Sequence, residues 1–383
     1  MKTILKGGKI ITPDTTLENK SLIIKDRNIT GIQSGDIDPS PGDRVIDARG
    51  YWITPGLIDV HVHGAMGFDT MDATPEALHT MGSFFAKHGV TSYLPTTMTE
   101  TREAILKSIT NVANCVQSDE AAQHLGVHVE GPYFNPDHKG AQPEHNLRDA
   151  DPSEYDSWLD TGVVKLVSIA PERTGSMAFI DRGIAAGVEF SVAHSGASYE
   201  RVIESADHGL RQATHTFNGM LGLHHRLPGT VGAVLTDDRI YAQVICDGVH
   251  VHPAVIGLIV RAKGSHRTIL ITNAIMATGL ADGEYELGGE KIVVKEGISR
   301  TIAGSLAGST LTLDAAIRNM IDFTTLSFEE VLPMATSVTA KAMKWYGKKG
   351  VIRPGADADI TIFDHDLNVR LTMAAGRIIY QEL

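Results

Sequence analysis

The stretch Thr54-Pro55-Gly56-Leu57-Ile58-Asp59-Val60-His61-Val62-His63-Gly64 decides how the chain is read. It is largely apolar and ends in glycine, the pattern of a buried strand. On a strand the side chains at i and i+2 share a face, so His61 and His63 present two imidazoles side by side. That is a pair of nitrogen ligands for a metal. Two strand histidines can also simply pack or hydrogen-bond, so the decision rests on what the rest of the chain adds.

Downstream, apolar strands alternate with helical patterns, the mark of βαβ units and a parallel sheet. The first helix is well punctuated, with Thr74 as N-cap, Pro75 at the first helical position, Glu76 in the first turn and His88-Gly89 closing it. Strand runs follow at 90–94, 125–130, 163–168, 188–194, 212–215, 241–246 and 268–273. With the opening strand they make eight, the number that closes a TIM-like (β/α)8 barrel. The alternating, glycine-rich stretch 282–303 reads as an inserted hairpin. Upstream, residues 1–52 are short apolar runs split by Gly and Asx turns, and residues 346–383 alternate in the same way. The two ends are expected to build one small β-sandwich domain, 1–52 plus 346–383, beside a barrel domain at 53–345.

At 383 residues, 42% of them hydrophobic, the chain can bury a large core. A formal charge of -12 argues against nucleic acid as a partner, because binding phosphate backbones needs a basic footprint. Cys115 and Cys246 are too few for a disulfide framework, and no run is apolar and long enough to span a membrane. A cytoplasmic protein with no membrane partner is expected.

His61, His63, Glu130, His194, His215 and Asn273 all fall at C-terminal strand ends. In a (β/α)8 barrel that face carries the active site, so residues distant in sequence converge there. Imidazole nitrogens with a carboxylate oxygen suit a divalent metal, zinc first, with iron, manganese and cobalt as alternatives. Glu130 can ligate one ion or bridge two. His128, two residues before it, faces the same way and is read as a hydrogen-bonding support for a ligand or substrate rather than as a ligand.

On these residues the sequence resembles the amidohydrolase superfamily and, within it, the N-acetylglucosamine-6-phosphate deacetylases. The resemblance is carried by Pro55-Gly56-Leu57-Ile58-Asp59-Val60-His61-Val62-His63-Gly64, His128-Val129-Glu130-Gly131-Pro132, Gly140-Ala141-Gln142, Ala193-His194-Ser195, Thr214-His215-Thr216-Phe217-Asn218-Gly219-Met220, Asp247-Gly248-Val249-His250 and Leu306-Ala307-Gly308-Ser309. It implies metal-dependent hydrolysis of the acetamide of N-acetylglucosamine 6-phosphate to glucosamine 6-phosphate and acetate. Glu130, His194 and His215 would hold one ion, and His61 and His63, with Glu130 bridging, a second. Asn218 and Gly219 would offer donors to the phosphate and Arg226 a charged fork suited to it, while Ala141, Gln142, His250, Leu306, Ala307 and Gly308 would line the sugar and acetamide. Arg226 also reads as a solvated loop charge beside His224 and His225. The resemblance further implies a homodimer in which a loop of one subunit completes the phosphate pocket of the other.

One position departs from that pattern. Expelling the amine needs a general acid, which the resemblance places as an aspartate at the end of the last barrel strand, where Leu270-Ile271-Thr272-Asn273-Ala274 carries asparagine. An amide cannot take up and return a proton near neutral pH. The chain is therefore read as an inactivated, substrate-trapping form of the enzyme. Alternatives are an N-acetylgalactosamine-6-phosphate deacetylase, a cyclic-amide hydrolase, an N-acyl amino acid deacylase, or a sugar-phosphate sensor without turnover. Cyclic-amide hydrolases and deacylases commonly bridge their metals with a carboxylated lysine, and none stands where Glu130 does.

Overall fold

The computed structural model describes residues 2–35 and 37–383. The apolar runs form parallel strands buried on both faces, as a sheet covered by helices requires: Leu57–Val62 and Val90–Pro95 are buried at every residue. Leu57–Val62 pairs with Val90–Pro95. Val127–Glu130, Val164–Ile169, Glu189–Val192, Gln212–Ala213, Tyr241–Ile245 and Thr268–Ile271 then form one parallel sheet in sequence order. Two seams join the arcs. Thr96 bridges to His128, and on the other side the Asn273 N–H donates to the His61 carbonyl at 2.9 Å while Val62 bridges to Ala274. Among the described residues this makes an eight-stranded ring of the TIM type, and its closure sets Asn273 beside the His61-Val62-His63 run.

The first barrel helix is Pro75–Lys87, and the Thr74 hydroxyl accepts the Ala77 N–H at 3.2 Å. It buries Leu78, Met81 and Phe85 in the main core, and Tyr93 anchors it by donating its hydroxyl to the Leu78 carbonyl.

Both chain ends enter the small β domain. One sheet orders Asn28–Ser34, Lys20–Lys25, Lys2–Lys6 and Arg44–Asp47. The other orders Arg377–Gln381, Val369–Ala374, Ile360–Phe363, Trp52–Pro55, Lys9–Ile11 and Thr16–Leu17. Its pairing runs to Pro55, past the expected boundary at 52, and the chain enters the barrel across Gly56. A Cβ on Gly56 would lie 2.2 Å from the Thr91 hydroxyl, so only glycine lets the two strands approach so closely.

Within this domain Lys349 is buried, donating to Asp359 Oδ2 at 2.6 Å and lying 3.1 Å from Asp357, while Asp359 Oδ1 accepts the Ala375 N–H. Lys349→Met would leave the 3%-exposed Asp359 without a counter-ion. We expect a loss of about 3–5 kcal/mol, the usual cost of breaking a buried pair from one side, read as a lowered urea midpoint. An unchanged midpoint would show that the pair contributes nothing.

The insertion corrects one expectation. Residues 282–303 are not a hairpin but a three-stranded antiparallel meander, Gly283–Leu287, Glu290–Lys295 and Ile298–Thr301. The third strand, Ile-Ser-Arg-Thr, has too little apolar content to announce itself. The meander buries Leu287, Ile292 and Val294 with Met98, Ile275 and Ala307, which fixes residues 305–308 over the barrel mouth. Among the described residues, no helix is long and apolar enough to cross a membrane.

Candidate metal centre

His61 and Glu130 stand on the strands themselves, whereas His63, His194, His215 and Asn273 fall one or two residues beyond strand ends. Three of these turn sharply, with φ of +43° at His194, +32° at His215 and +53° at Asn273. Asparagine and histidine enter this left-handed region more often than most residues, yet for any side chain but glycine it costs about 1–3 kcal/mol, and such strain clusters at functional sites. The turns swing the side chains inward onto Glu130. Its Oε1 lies 3.1 Å from His215 Nε2, 3.5 Å from His61 Nε2 and 3.7 Å from His194 Nε2, and its Oε2 lies 3.4 Å from His63 Nε2. The His61 and His63 Nε2 atoms are 3.1 Å apart.

The hydrogen bonds on the far side of the rings fix what these nitrogens present. Nδ1 faces the carbonyl of Thr96 in His63, of His138 in His194 and of Asn218 in His215, at 3.2, 2.9 and 3.1 Å. A carbonyl can only accept, so Nδ1 carries the proton and each Nε2 points a lone pair at the centre. Burial holds His61 well below the ordinary imidazole range and lowers His63 and His215 too, so these rings are neutral. Glu130 sets a buried carboxylate among these nitrogens. Lone pairs and an anion crowded this closely repel one another unless a cation lies among them. Two sets can hold one, His61 with His63 and Glu130, and Glu130 with His194 and His215, each with its ligand atoms within 4.8 Å of one another.

The pattern of the Amidohydrolase family matches residues 52–379. The chain belongs to the amidohydrolase family. Among curated amidohydrolase relatives, the N-acetylglucosamine-6-phosphate deacetylase of Lysinibacillus sphaericus is 39% identical over 88% of this chain and 87% of its own length. The N-acetylgalactosamine-6-phosphate deacetylase of Escherichia coli O157:H7 is 35% identical over 99% of both. A solved structure of a mutant N-acetyl-D-glucosamine-6-phosphate deacetylase from Mycobacterium smegmatis, in complex with N-acetyl-D-glucosamine-6-phosphate, superposes with a TM-score of 0.91 at 31% identity, covering 99% of this chain and 100% of that one.

The amidohydrolase centre floors a cavity of about 310 Å³. His63, Glu130, Ala141, Gln142, His194, His215, Asn218, Gly219, His250, Asn273, Leu306 and Gly308 line it, all of them singled out in the sequence. Four expected residues lie elsewhere. His61 is wholly buried beneath, and Ala307 is packed into the core under the meander. His128 sits in the barrel interior with its ring edge-on to His61, Nδ1 on the Val60 carbonyl at 3.0 Å and Nε2 on the Ser168 hydroxyl at 2.7 Å. Arg226 is exposed, its Nη1 donating to His225 Nε2 at 2.7 Å, and is not among the residues lining the cavity. Gly140, from the Gly140-Ala141-Gln142 stretch, joins the lining, and Met98, Ile245, Leu287 and Ser305 complete it without having been anticipated. Three of these last four are apolar residues with no local signal of a site, and Ser305 belongs to a segment placed only by the meander's packing.

Gln142 has a task that its sequence neighbourhood does not reveal. Its Nε2 donates to Glu130 Oε2 at 2.7 Å and its Oε1 accepts the Thr99 N–H at 3.0 Å, so it holds the shared carboxylate in place. Asn273 stands on the cavity wall beside His63, with which its amide interacts, and its buried Oδ1 makes no close hydrogen bond among the described residues.

Proposed function

We propose that this amidohydrolase acts on the acetamide of an N-acetylhexosamine 6-phosphate, with N-acetylglucosamine 6-phosphate as the substrate and glucosamine 6-phosphate and acetate as products. One observation carries the reading: lone pairs of neutral imidazoles and the Glu130 carboxylate converge at the floor of a sugar-sized cavity. His61, His63, Glu130, His194 and His215 would hold one or two divalent ions, and their nitrogen and oxygen donors favour zinc. A bound ion supplies Lewis-acid polarisation of the amide carbonyl and makes water a stronger acid.

The chain's own residues do the rest. Gln142 orients Glu130, the carbonyls of Thr96, His138 and Asn218 orient the ligand imidazoles, and Leu287 and Leu306 limit water at the cavity wall. Asn218 spends its backbone N–H and one amide hydrogen on the His215 carbonyl, leaving a second amide hydrogen for a phosphate oxygen. Arg226 would reach a phosphate in a neighbouring copy, in a homodimer whose contact includes the exposed Leu223 and Leu227. At the position where the proton must be carried to the leaving amine, the Asn273 amide accepts a hydrogen bond but cannot transfer a proton. The chain is thus expected to bind substrate and turn it over slowly. Two free cysteines without a disulfide accord with a cytoplasmic setting.

Full-length similarity to the Escherichia coli galactosamine enzyme supports a second reading, the galacto substrate. Calorimetry against both N-acetylhexosamine 6-phosphates decides between them. Saturable binding of the gluco sugar phosphate, tighter than of N-acetylglucosamine itself, is the expected result. Absence of binding to either, with hydrolysis of hydantoins or N-acyl amino acids, would overturn the proposal.

A further inference from the structure

The Asp247-Gly248-Val249-His250 turn follows the Tyr241–Ile245 strand to the cavity rim, yet only His250 has been given a task so far. Asp247 Oδ1 accepts the N–H groups of Val249 and His250, both at 2.8 Å, which closes the turn. The other oxygen is directed at the ring, with Oδ2 accepting the His250 Nδ1–H at 2.6 Å. Capping a turn needs one carboxylate oxygen; the second is free to act on the imidazole. Both side chains are largely buried, 15% exposed for Asp247 and 7% for His250. The turn is also held from behind, where Asn319 of the Leu313–Phe323 helix donates to the Cys246 carbonyl at 2.8 Å.

His250 is a partition. It lines the cavity above the metal ligands and also a second cavity of about 290 Å³ whose wall includes Asp247. Among the described residues the ring makes one side-chain hydrogen bond, to Asp247, so nothing else of that kind sets which nitrogen carries the proton. Burial would push the Asp247 carboxyl up, but the bonds from His250 and the turn hold it below its ordinary value, so the acceptor is an anion.

We propose that Asp247 is a positioning residue for substrate binding: it holds the His250 ring with a proton on Nδ1 and leaves Nε2, the ring's remaining polar atom, for the bound sugar phosphate. The substrate class rests on the function proposed above; the pairing itself does not. Whether the ring is neutral or charged, Nδ1 keeps its proton, and Nε2 either accepts from a sugar hydroxyl or donates to a phosphate oxygen.

Two measurements on the full chain test this. In ¹⁵N-histidine spectra at pH 8, with His250 assigned by loss of its signals in His250→Gln, a proton on Nδ1 is expected. In Asp247→Asn that state should give way to the other tautomer, because an amide can turn its NH2 to the ring. A bare Nδ1 in the unaltered chain overturns the proposal, whether or not any sugar binds. Calorimetry with N-acetylglucosamine 6-phosphate should show Asp247→Asn weakening binding by about 10–100-fold, as for residues that orient a contacting group. Asp247→Glu, which keeps the charge, should recover part of that loss. In the His250→Gln background Asp247→Asn should cost nothing further, since the carboxylate acts through the ring. An equal loss in that background would make Asp247 a structural cap of the loop and sink the proposal. If the unaltered chain fails to bind the sugar phosphate, the substrate reading fails while the spectra still decide the pairing.

Discussion

Asn273→Asp is expected to raise acetate release from N-acetylglucosamine 6-phosphate by about 10²–10⁴-fold, the usual contribution of a general acid–base group. The exchange alters chemistry without altering shape. Aspartate has the same size as asparagine and tolerates the +53° φ at this position almost as well. The backbone of residue 273 is held independently of its side chain, by its N–H on the His61 carbonyl and its carbonyl on the Ser309 N–H at 2.8 Å. Among the described residues its Oδ1 makes no close hydrogen bond and only neighbours His63, so a carboxylate placed there gives up little. Substrate affinity should change little, because the gain lies in a proton transferred during reaction and not in a contact made by the bound substrate. Initial rates for the two forms at matched metal content are the measurement. Equal, negligible rates with metal and substrate both bound would discard the hydrolase and favour a sugar-phosphate sensor.

How much of this centre the sequence discloses depends on whether a residue's task is set locally. His61 and His63 are legible because a period of two puts them on one face, and their Nε2 atoms indeed lie 3.1 Å apart. Thr74 and Pro75 are legible because a helix start is a local event, and the helix begins there. His194, His215 and Asn273 are legible as strand-end polar residues, but the strands stop earlier than their apolar runs and left-handed turns aim the side chains. No periodicity encodes that turn. Met98 and Leu287 line the cavity although they are separated by most of the barrel, and apolar residues look alike whether they face a core or a substrate. Arg226 illustrates the opposite failure. A guanidinium suits phosphate wherever it stands, but its loop directs it outward onto His225, and no residue pattern discloses the direction in which a loop points.

Glu130→Gln should abolish tight metal binding, and the reason lies in what surrounds the carboxylate. Both metal-holding sets share Glu130, so the substitution removes the anion from each at once. What remains includes His61, His63 and His215, which burial keeps neutral, and a dication gains far less from neutral donors than from donors that include a carboxylate. The new amide also competes with the ion, because its NH2 can donate to Nε2 of His215, which lies 3.1 Å from the present Oε1. Residues that merely orient a ligand cost about 10–100-fold in metal affinity when altered, and a shared anionic ligand must cost more. Metal analysis after desalting should therefore find the variant nearly empty where the unaltered chain is full. Stability follows by linkage. A ligand that binds only the folded state adds about 2.7 kcal/mol when present at a hundred times its Kd, so a chelator should lower the melting temperature of the unaltered chain by several degrees. The variant should show no chelator effect, and without metal it should melt above the unaltered chain, since an amide donor relieves the crowding of lone pairs around Oε1 that the carboxylate aggravates. Equal metal content in the two forms, with the same response to chelator, would mean that Glu130 is not a ligand and that the ion, if bound, is held elsewhere.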